Sequence, residues 1–504
     1  MSNVLFDPLF GRHAGSDAPF VITDGTAPLT YGAFEALSAR LAHVFAELGL
    51  TKGDRVALQV AKSPVALAIY AACLRSGLVL LPLNTAYTTS ELSYFITDAE
   101  PRLVICDDRQ AAAMAEILNG AALHTLNADG GGSLADAAAG MQDSHTVVDC
   151  APDDLAAILY TSGTTGRSKG AMLTHANLLS NAQALADLWQ FTADDVLLHA
   201  LPIFHTHGLF VAVNVSALSG AAMLFHPAFK VEDVLRDLPR ATVLMGVPTF
   251  YTRLLAEPGF THAAAAHMRL FVSGSAPLLA DTHTQFEERT GHRILERYGM
   301  TETNMNASNP YDGERRPGTV GFALPGTEVR ITDPDTGAEL AKGKTGMIEV
   351  RGPNVFHGYW RMPEKTAAEL RESGFFITGD LGQIDPDGYL MIVGRQKDLI
   401  ISGGYNIYPK EIEVLLDALP GVMESAVFGV PDADFGEAVI GVVVPDPGVT
   451  LDTAALQASI APHLARFKHP RQIVVVDDLP RNAMGKVQKN ILRQTYAQAA
   501  EPTG

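Results

Sequence analysis

The sequence predicts an α/β protein with a large N-terminal part and a small α+β C-terminal part. Three observations carry this. Short apolar runs alternate with helical stretches over roughly the first 300 residues, the pattern of layered helices on a parallel sheet. Between about 310 and 395 the texture becomes turn-rich, with Asp312-Gly313, Asp335-Thr336-Gly337 and Asp387-Gly388 separating short β-like runs. From Asp398 onward a helix, two strand-like runs and another helix fill a length suited to a separate domain.

In chain order, Arg55–Val60 reads as a strand and Pro64–Arg75 as a helix opening on proline, which suits the first helical turn. Leu78–Pro82 and Leu103–Cys106 are further strands, and Leu155–Tyr160 is an apolar run. Gly208–Phe225 carries no formal charge but holds Asn214, Ser216, Ser219 and Gly220 without a cationic flank, so a buried helix then a strand is expected, not a membrane span. Pro248 opens another helix. Gly346–Val350 belongs to a small antiparallel barrel or sheet. In the last part, Pro409–Ala418 is a helix with Ile412, Leu415 and Leu416 on one face. Ser425–Val430 and Ala438–Val444 pair as strands, and Ala454–Ala461 is a helix that Pro462 ends. The boundaries expected are 1–394, a hinge at 395–398, and 399–504.

The 504 residues are 47% apolar and 18% charged, an ordinary globular composition. The net charge of −19 argues against nonspecific nucleic-acid binding. It also means that a site for anions must concentrate its own cations and oriented N–H groups. Cys73, Cys106 and Cys150 have no metal-like spacing and read as buried thiols in a reducing compartment. Met1–Phe10 lacks a signal-peptide core. A cytoplasmic protein with neither a membrane nor a nucleic-acid partner is expected.

The chemistry concentrates in Thr161-Ser162-Gly163-Thr164-Thr165-Gly166-Arg167-Ser168-Lys169-Gly170. Glycines admit close backbone approach, hydroxyls donate to oxygens and a lysine supplies charge, which together suit a polyphosphate. It is not a Walker A loop, because Lys169 is followed by Gly170; Gly343-Lys344-Thr345 fails the spacing at Ala338. Further motifs follow in order. They are Tyr298-Gly299-Met300-Thr301-Glu302, Thr378-Gly379-Asp380, Gly394-Arg395-Gln396-Lys397-Asp398, Ser402-Gly403-Gly404-Tyr405, and Pro480-Arg481 with Gly485-Lys486. This set resembles the adenylate-forming superfamily of acyl-CoA synthetases, adenylation domains and luciferases over nearly the whole chain.

The resemblance implies a fold and a set of roles. The fold is a large N-terminal domain of two α/β subdomains plus a β-barrel, with a small mobile C-terminal lid. ATP, Mg²⁺ and coenzyme A are implied. Ser162, Thr164, Thr165 and Lys169 would hold phosphates, with Thr161, Gly163 and Gly166 in the same loop. Glu302, with Thr165, would hold Mg²⁺. Gly274, Ser275, Ala276, Tyr298, Gly299 and Thr301 would wall the nucleotide, and Asp380, assisted by Arg395, would bind the ribose. Lys486 would contact the substrate carboxylate and α-phosphate, and the loss of its charge on acetylation implies a lysine acetyltransferase as a partner. Rotation about Lys397 would replace Lys486 by the Gly403–Gly404 face for thioester formation.

The acyl pocket is expected from His205 at its mouth, His207, Ser273, Met300 and Arg253. Arg253 follows Thr249 and Phe250 by four and three residues, so a helix that turns these inward also turns Arg253 inward. A buried guanidinium needs an anion, and a second substrate carboxylate supplies one; the alternative is a surface Arg253 paired with Glu257 at i+4. The segments Ala200–Leu209, Gly246–Arg253 and Glu296–Asn306 resemble those of the superfamily's malonate-activating members. Malonate is the expected acid, with methylmalonate second. A ligase for a fatty or aromatic acid and a noncatalytic nucleotide sensor remain as alternatives.

Overall fold

The computed structural model describes residues 3–161, 168–402, 405–432, 435–482 and 485–497, with Asn406 by its backbone alone. Six strands form the first sheet, in the order Ala122–Thr125, Leu103–Cys106, Arg55–Gln59, Val79–Pro82, Leu155–Thr161, Lys169–Thr174. All neighbours are parallel except the last pair. The helix Pro64–Arg75 begins as the sequence predicts: Ser63 caps it by accepting from the Ala66 N–H, and proline occupies the first turn. Its residues from Ala66 to Arg75 are buried.

A nine-stranded sheet runs Phe322–Ala323, Asn304–Ser308, Leu295–Met300, Leu270–Ser273, Val243–Gly246, Val196–His199, Ala222–Phe225, Pro19–Ile22, Leu29–Thr30. Its central strands, from Leu295–Met300 to Pro19–Ile22, are parallel. Their carboxyl ends therefore point the same way, which is where parallel sheets place ligands. The uncharged stretch before Ala222–Phe225 is a π-helix, His207–Val213, continued by an α-helix, Asn214–Ser219. Asn214 and Ser216 are fully buried there, and Tyr70 donates to Asn214 Oδ1 at 3.2 Å. This is a core segment, and no helix among the described residues is long and apolar enough to cross a membrane.

The region expected as a barrel or sheet is a four-stranded antiparallel sheet, Glu328–Thr332, Gly346–Arg351, Phe376–Ile384, Leu390–Arg395. Its two edge strands do not pair with each other. The C-terminal part carries a five-stranded sheet in which Val422–Asp432 and Gly436–Pro445 pair over a longer span than the sequence predicts. The helix Pro409–Asp417 lies against it, with Ile412 and Leu416 buried. The helix Thr453–Ile460 ends at the 3₁₀ turn Ala461–His463, which holds Pro462.

Candidate active site

The phosphate-loop residues Ser162, Gly163, Thr164, Thr165 and Gly166 lie outside the described residues, but both flanks are fixed. Thr161 and Lys169 face each other across an antiparallel pair, so the loop closes a hairpin at the carboxyl end of Leu155–Thr161. Lys169 does not offer a free charge to it. Its Nζ donates to Tyr359 Oη at 2.9 Å and pairs with Glu369 at 3.2 Å. Tyr359 Oη also lies 2.6 Å from Glu369 Oε2 and 3.0 Å from Glu302 Oε1. The expected phosphate ligand is thus part of a cluster that orients Glu302. Burial raises the Glu302 pKa, against Lys169 and Tyr359, which lower it.

Asp380 is held between two other expected residues. Tyr298 Oη donates to its Oδ2 at 2.6 Å, and Arg395 Nε lies 2.7 Å from its Oδ1. The register that pairs Asp380 with Arg395 on neighbouring strands makes this contact. Each carboxylate oxygen keeps a lone pair for a ribose hydroxyl. Lys486, from the C-terminal part, reaches the same place. Its side chain keeps solvent access, yet the surrounding protein and Arg395 depress its pKa to about 8, opposed by Asp380. Gly485 sits with its Cβ direction 3.6 Å from the Thr249 side chain, so this part of the lid rests on the helix Pro248–Ala256.

Next to these, at the strand ends of the nine-stranded sheet, buried polar groups converge. Arg297 is 4% exposed, and its Nε and Nη2 have no hydrogen-bond partner among the described residues. Its guanidinium lies against Gly274, where a Cβ would fall 2.3 Å from Cζ; only glycine leaves that room. Burial lowers the Arg297 pKa to about 9, with Tyr251 the only opposing influence. His207 Nδ1 meets Ser275 Oγ at 3.3 Å, while His207 Nε2, Ser273 Oγ and Thr206 Oγ1 are buried without partners among the described residues. Burial and Arg297 keep both His205, with its pKa at about 4, and His207 neutral. Ser275 holds a positive φ of 70° at this wall, a backbone cost that side chains seldom bear outside functional turns.

Two profiles of the AMP-binding enzymes match, the main one over residues 11–360 and its C-terminal domain over 411–486. The chain belongs to the AMP-binding enzyme family. Among solved structures of that family, ATP-bound MatB from Rhodopseudomonas palustris is 58% identical, covers 99% of this chain and 100% of its own, and superposes with a TM-score of 0.97. Its apo form superposes with a TM-score of 0.86. Indoleacetate–CoA ligase of Aromatoleum aromaticum is 35% identical over 96% of this chain and 97% of its own. Malonate–CoA ligase of Arabidopsis thaliana is also 35% identical, over 89% and 79%.

In this AMP-binding enzyme the buried guanidinium expected at Arg253 is not found there, because Arg253 is exposed. The helix Pro248–Ala256 buries Tyr251 and Leu254 and stacks Phe250 on Phe229 at 3.9 Å; Arg253, on another face, is exposed and has no carboxylate within ion-pair distance among the described residues. The buried cation at these strand ends is Arg297, which stands inside Glu296-Arg297-Tyr298-Gly299. Its only sequence signal was a cation next to a nucleotide motif. Gly299 is required because a Cβ would fall 2.0 Å from the Asn304 carbonyl oxygen. Met300, Thr301 and Ala276 are partly exposed at the strand ends. Lys397 lies in the 3₁₀ turn Gln396–Asp398, and Gly403 and Gly404 lie outside the described residues. Tyr359 and Glu369 carried no sequence signal, since both act through contacts distant in the chain.

Proposed function

We propose that this chain ligates malonate, and secondarily methylmalonate, to coenzyme A through a malonyl-AMP intermediate. The observation that carries the reading is Arg297, a buried guanidinium without an anion. The indoleacetate and malonate ligases are equally similar to this chain at 35%, whereas MatB is 58% identical over nearly the whole of both chains. A buried unpaired charge is costly, and malonate's distal carboxylate would pair with it, with donors from Ser273 and His207 beside it. A fatty or aromatic tail would leave Arg297 unpaired. A noncatalytic sensor has no use for Lys486 directed at Asp380 and His205.

In the first half-reaction a malonate oxygen bonds to the α-phosphorus of ATP while the bond to the β-phosphate oxygen breaks and pyrophosphate leaves. Lys486 neutralises charge that develops between two anions, an electrostatic role. Asp380 and Arg395 hold the ribose side, and Gly274, Ser275, Tyr298 and Gly299 the base. Glu302 is a single buried carboxylate, and no cluster of three metal-binding side chains occurs among the described residues. That suits Mg²⁺, which takes one carboxylate plus phosphate oxygens and waters, with Thr165 as a further ligand. Mg²⁺ would neutralise the phosphates. In the second half-reaction the thiol sulfur of coenzyme A bonds to the acyl carbon and AMP leaves. The lid, 399–504, turns about 395–398 for this step, bringing the Gly403–Gly404 face to the pantetheine arm. The short turn Gln396–Asp398 between two strands supports that hinge. The enzyme works in the cytoplasm, which its three buried free cysteines suit, and Lys486, accessible to solvent, is a target for a lysine acetyltransferase.

The test is ATP–pyrophosphate exchange with malonate, methylmalonate, succinate, acetate, octanoate and benzoate. Malonate is expected to drive it best, and EDTA to stop it. Faster exchange with acetate or benzoate rejects the substrate, and exchange indifferent to EDTA rejects Glu302 as a metal ligand. A pH profile tests Lys486. Its pKa is lowered from 10.5 to about 8, so the ammonium is present below pH 8 and is lost as pH rises through it. The profile of kcat/KM for ATP, which reports the free enzyme, therefore falls above about pH 8. Lys486→Arg, charged throughout, removes that limb; a limb that persists assigns it to another group.

A further inference from the structure

Lys62 follows the carboxyl end of Arg55–Gln59 in the six-stranded sheet, and its side chain bridges to the nine-stranded one. Nζ donates to both Nδ1 and the carbonyl oxygen of His199, each at 2.8 Å. It also lies 4.2 Å from the centre of the Phe225 ring. No carboxylate stands within ion-pair distance of it among the described residues. On the far side of the His199 ring, Nε2 is 2.7 Å from the Gly208 carbonyl oxygen. A carbonyl can only accept, so Nε2 carries the proton, and Nδ1 is the acceptor that Lys62 satisfies. His199 is 1% exposed, and no other hydrogen bond fixes its tautomer among the described residues.

Gly208 is the second residue of the π-helix His207–Val213, a helix type concentrated at functional sites. A Cβ at Gly208 would fall 2.0 Å from the Pro202 carbonyl oxygen. The turn is thus closed tightly from one side by Pro202 and held from the other by His199. His207, the next residue back, is fully buried with Nε2 unpartnered.

We propose that Lys62 and His199 are positioning residues of the acyl site. Lys62 fixes the His199 tautomer, His199 holds the Gly208 carbonyl, and together they set His207 against the distal carboxylate of the acid. The identity of that acid rests on the malonate reading; the tautomer does not. Without the amine, Nδ1 becomes a buried unsatisfied acceptor, an unfavourable state. The ring then gains by moving its proton to Nδ1, and the bond to Gly208 is lost. Burial also keeps His199 uncharged, and it lowers the Lys62 pKa well below the usual lysine value; with or without the extra proton, the amine donates to Nδ1.

The experiment uses full-length enzyme carrying Lys62→Met, Lys62→Gln or His199→Asn. Nitrogen–proton correlation spectra of the histidine rings, with His199 assigned by its loss in His199→Asn, should show the Nε2-protonated form in wild type and a mixture in Lys62→Met. KM for the best acid of the exchange panel should rise about tenfold in Lys62→Met, the effect of one buried unsatisfied group, with KM for ATP within about twofold. Lys62→Gln keeps an N–H donor without the charge and should restore both the tautomer and KM. It also carries the test if Lys62→Met does not fold. An unchanged tautomer in Lys62→Met overturns the proposal, as does an equal rise in both KM values. So does Lys62→Gln with the wild-type tautomer but the full loss in KM, which would assign the effect to charge alone.

Discussion

Lys486→Ala is expected to lower malonate-driven ATP–pyrophosphate exchange by about 100-fold or more, the usual loss when one preorganised donor to a developing charge is removed. Lys486 is placed for that loss. It lies among Asp380, Arg395 and Lys397, and it contributes to keeping His205 neutral. Gly485 beside it is seated on Thr249, so the ammonium is delivered by a docked lid and not by a loose tail. Coenzyme A supplied with preformed malonyl-AMP should still give malonyl-CoA within about threefold of wild type, because a kinetic loss reports only the step whose transition state lost a contact. Acetylation of Lys486, which removes the same charge, should reproduce the alanine phenotype. Equal loss of both half-reactions in Lys486→Ala would show that the lid does not divide them between two faces.

Arg297→Met is the second large effect. Truncating one partner of a buried charge pair costs about 2–5 kcal/mol, and about 1.4 kcal/mol is a decade. The predicted loss in kcat/KM for malonate is therefore roughly 30-fold or more. KM for ATP should hardly move, since Asp380, Arg395 and Tyr298 are untouched. Butyrate, with an ethyl group where malonate has its second carboxylate, should become a better substrate, because methionine offers an apolar wall in place of an unpaired charge. Arg253→Met, measured beside it, should leave malonate within about threefold, as befits an exposed helix residue. A malonate value for Arg297→Met near wild type would return the distal carboxylate to another cation.

The comparison of Arg253 with Arg297 shows where the sequence stopped. Helical spacing put Arg253 with Thr249 and Phe250, but spacing gives only relative angle. Which face turns inward was settled by Tyr251 and Leu254 packing on the neighbouring strands and by Phe250 stacking on Phe229. Arg297 was hidden for the converse reason. It lies on a strand between buried Glu296 and Tyr298, where alternation cannot tell a core side chain from one lining a cavity. Lys169 was legible as a phosphate-loop lysine and illegible as the partner of Glu369, two hundred residues away.

The alternating strands, the helix Pro64–Arg75 opening on proline, the phosphate-loop run and the ordered motifs through Lys486 were all written locally. Each depends on periodicity, on a cap or on a contiguous run of small and hydroxyl residues, and these are properties of neighbours in the chain. The opposite holds for the partners of charge. Lys62 with His199, Tyr359 between Glu302 and Glu369, and Arg297 without an anion are decided only when distant strands come into register. Burial then sets the cost of every unpaired group, and no stretch of sequence carries that information.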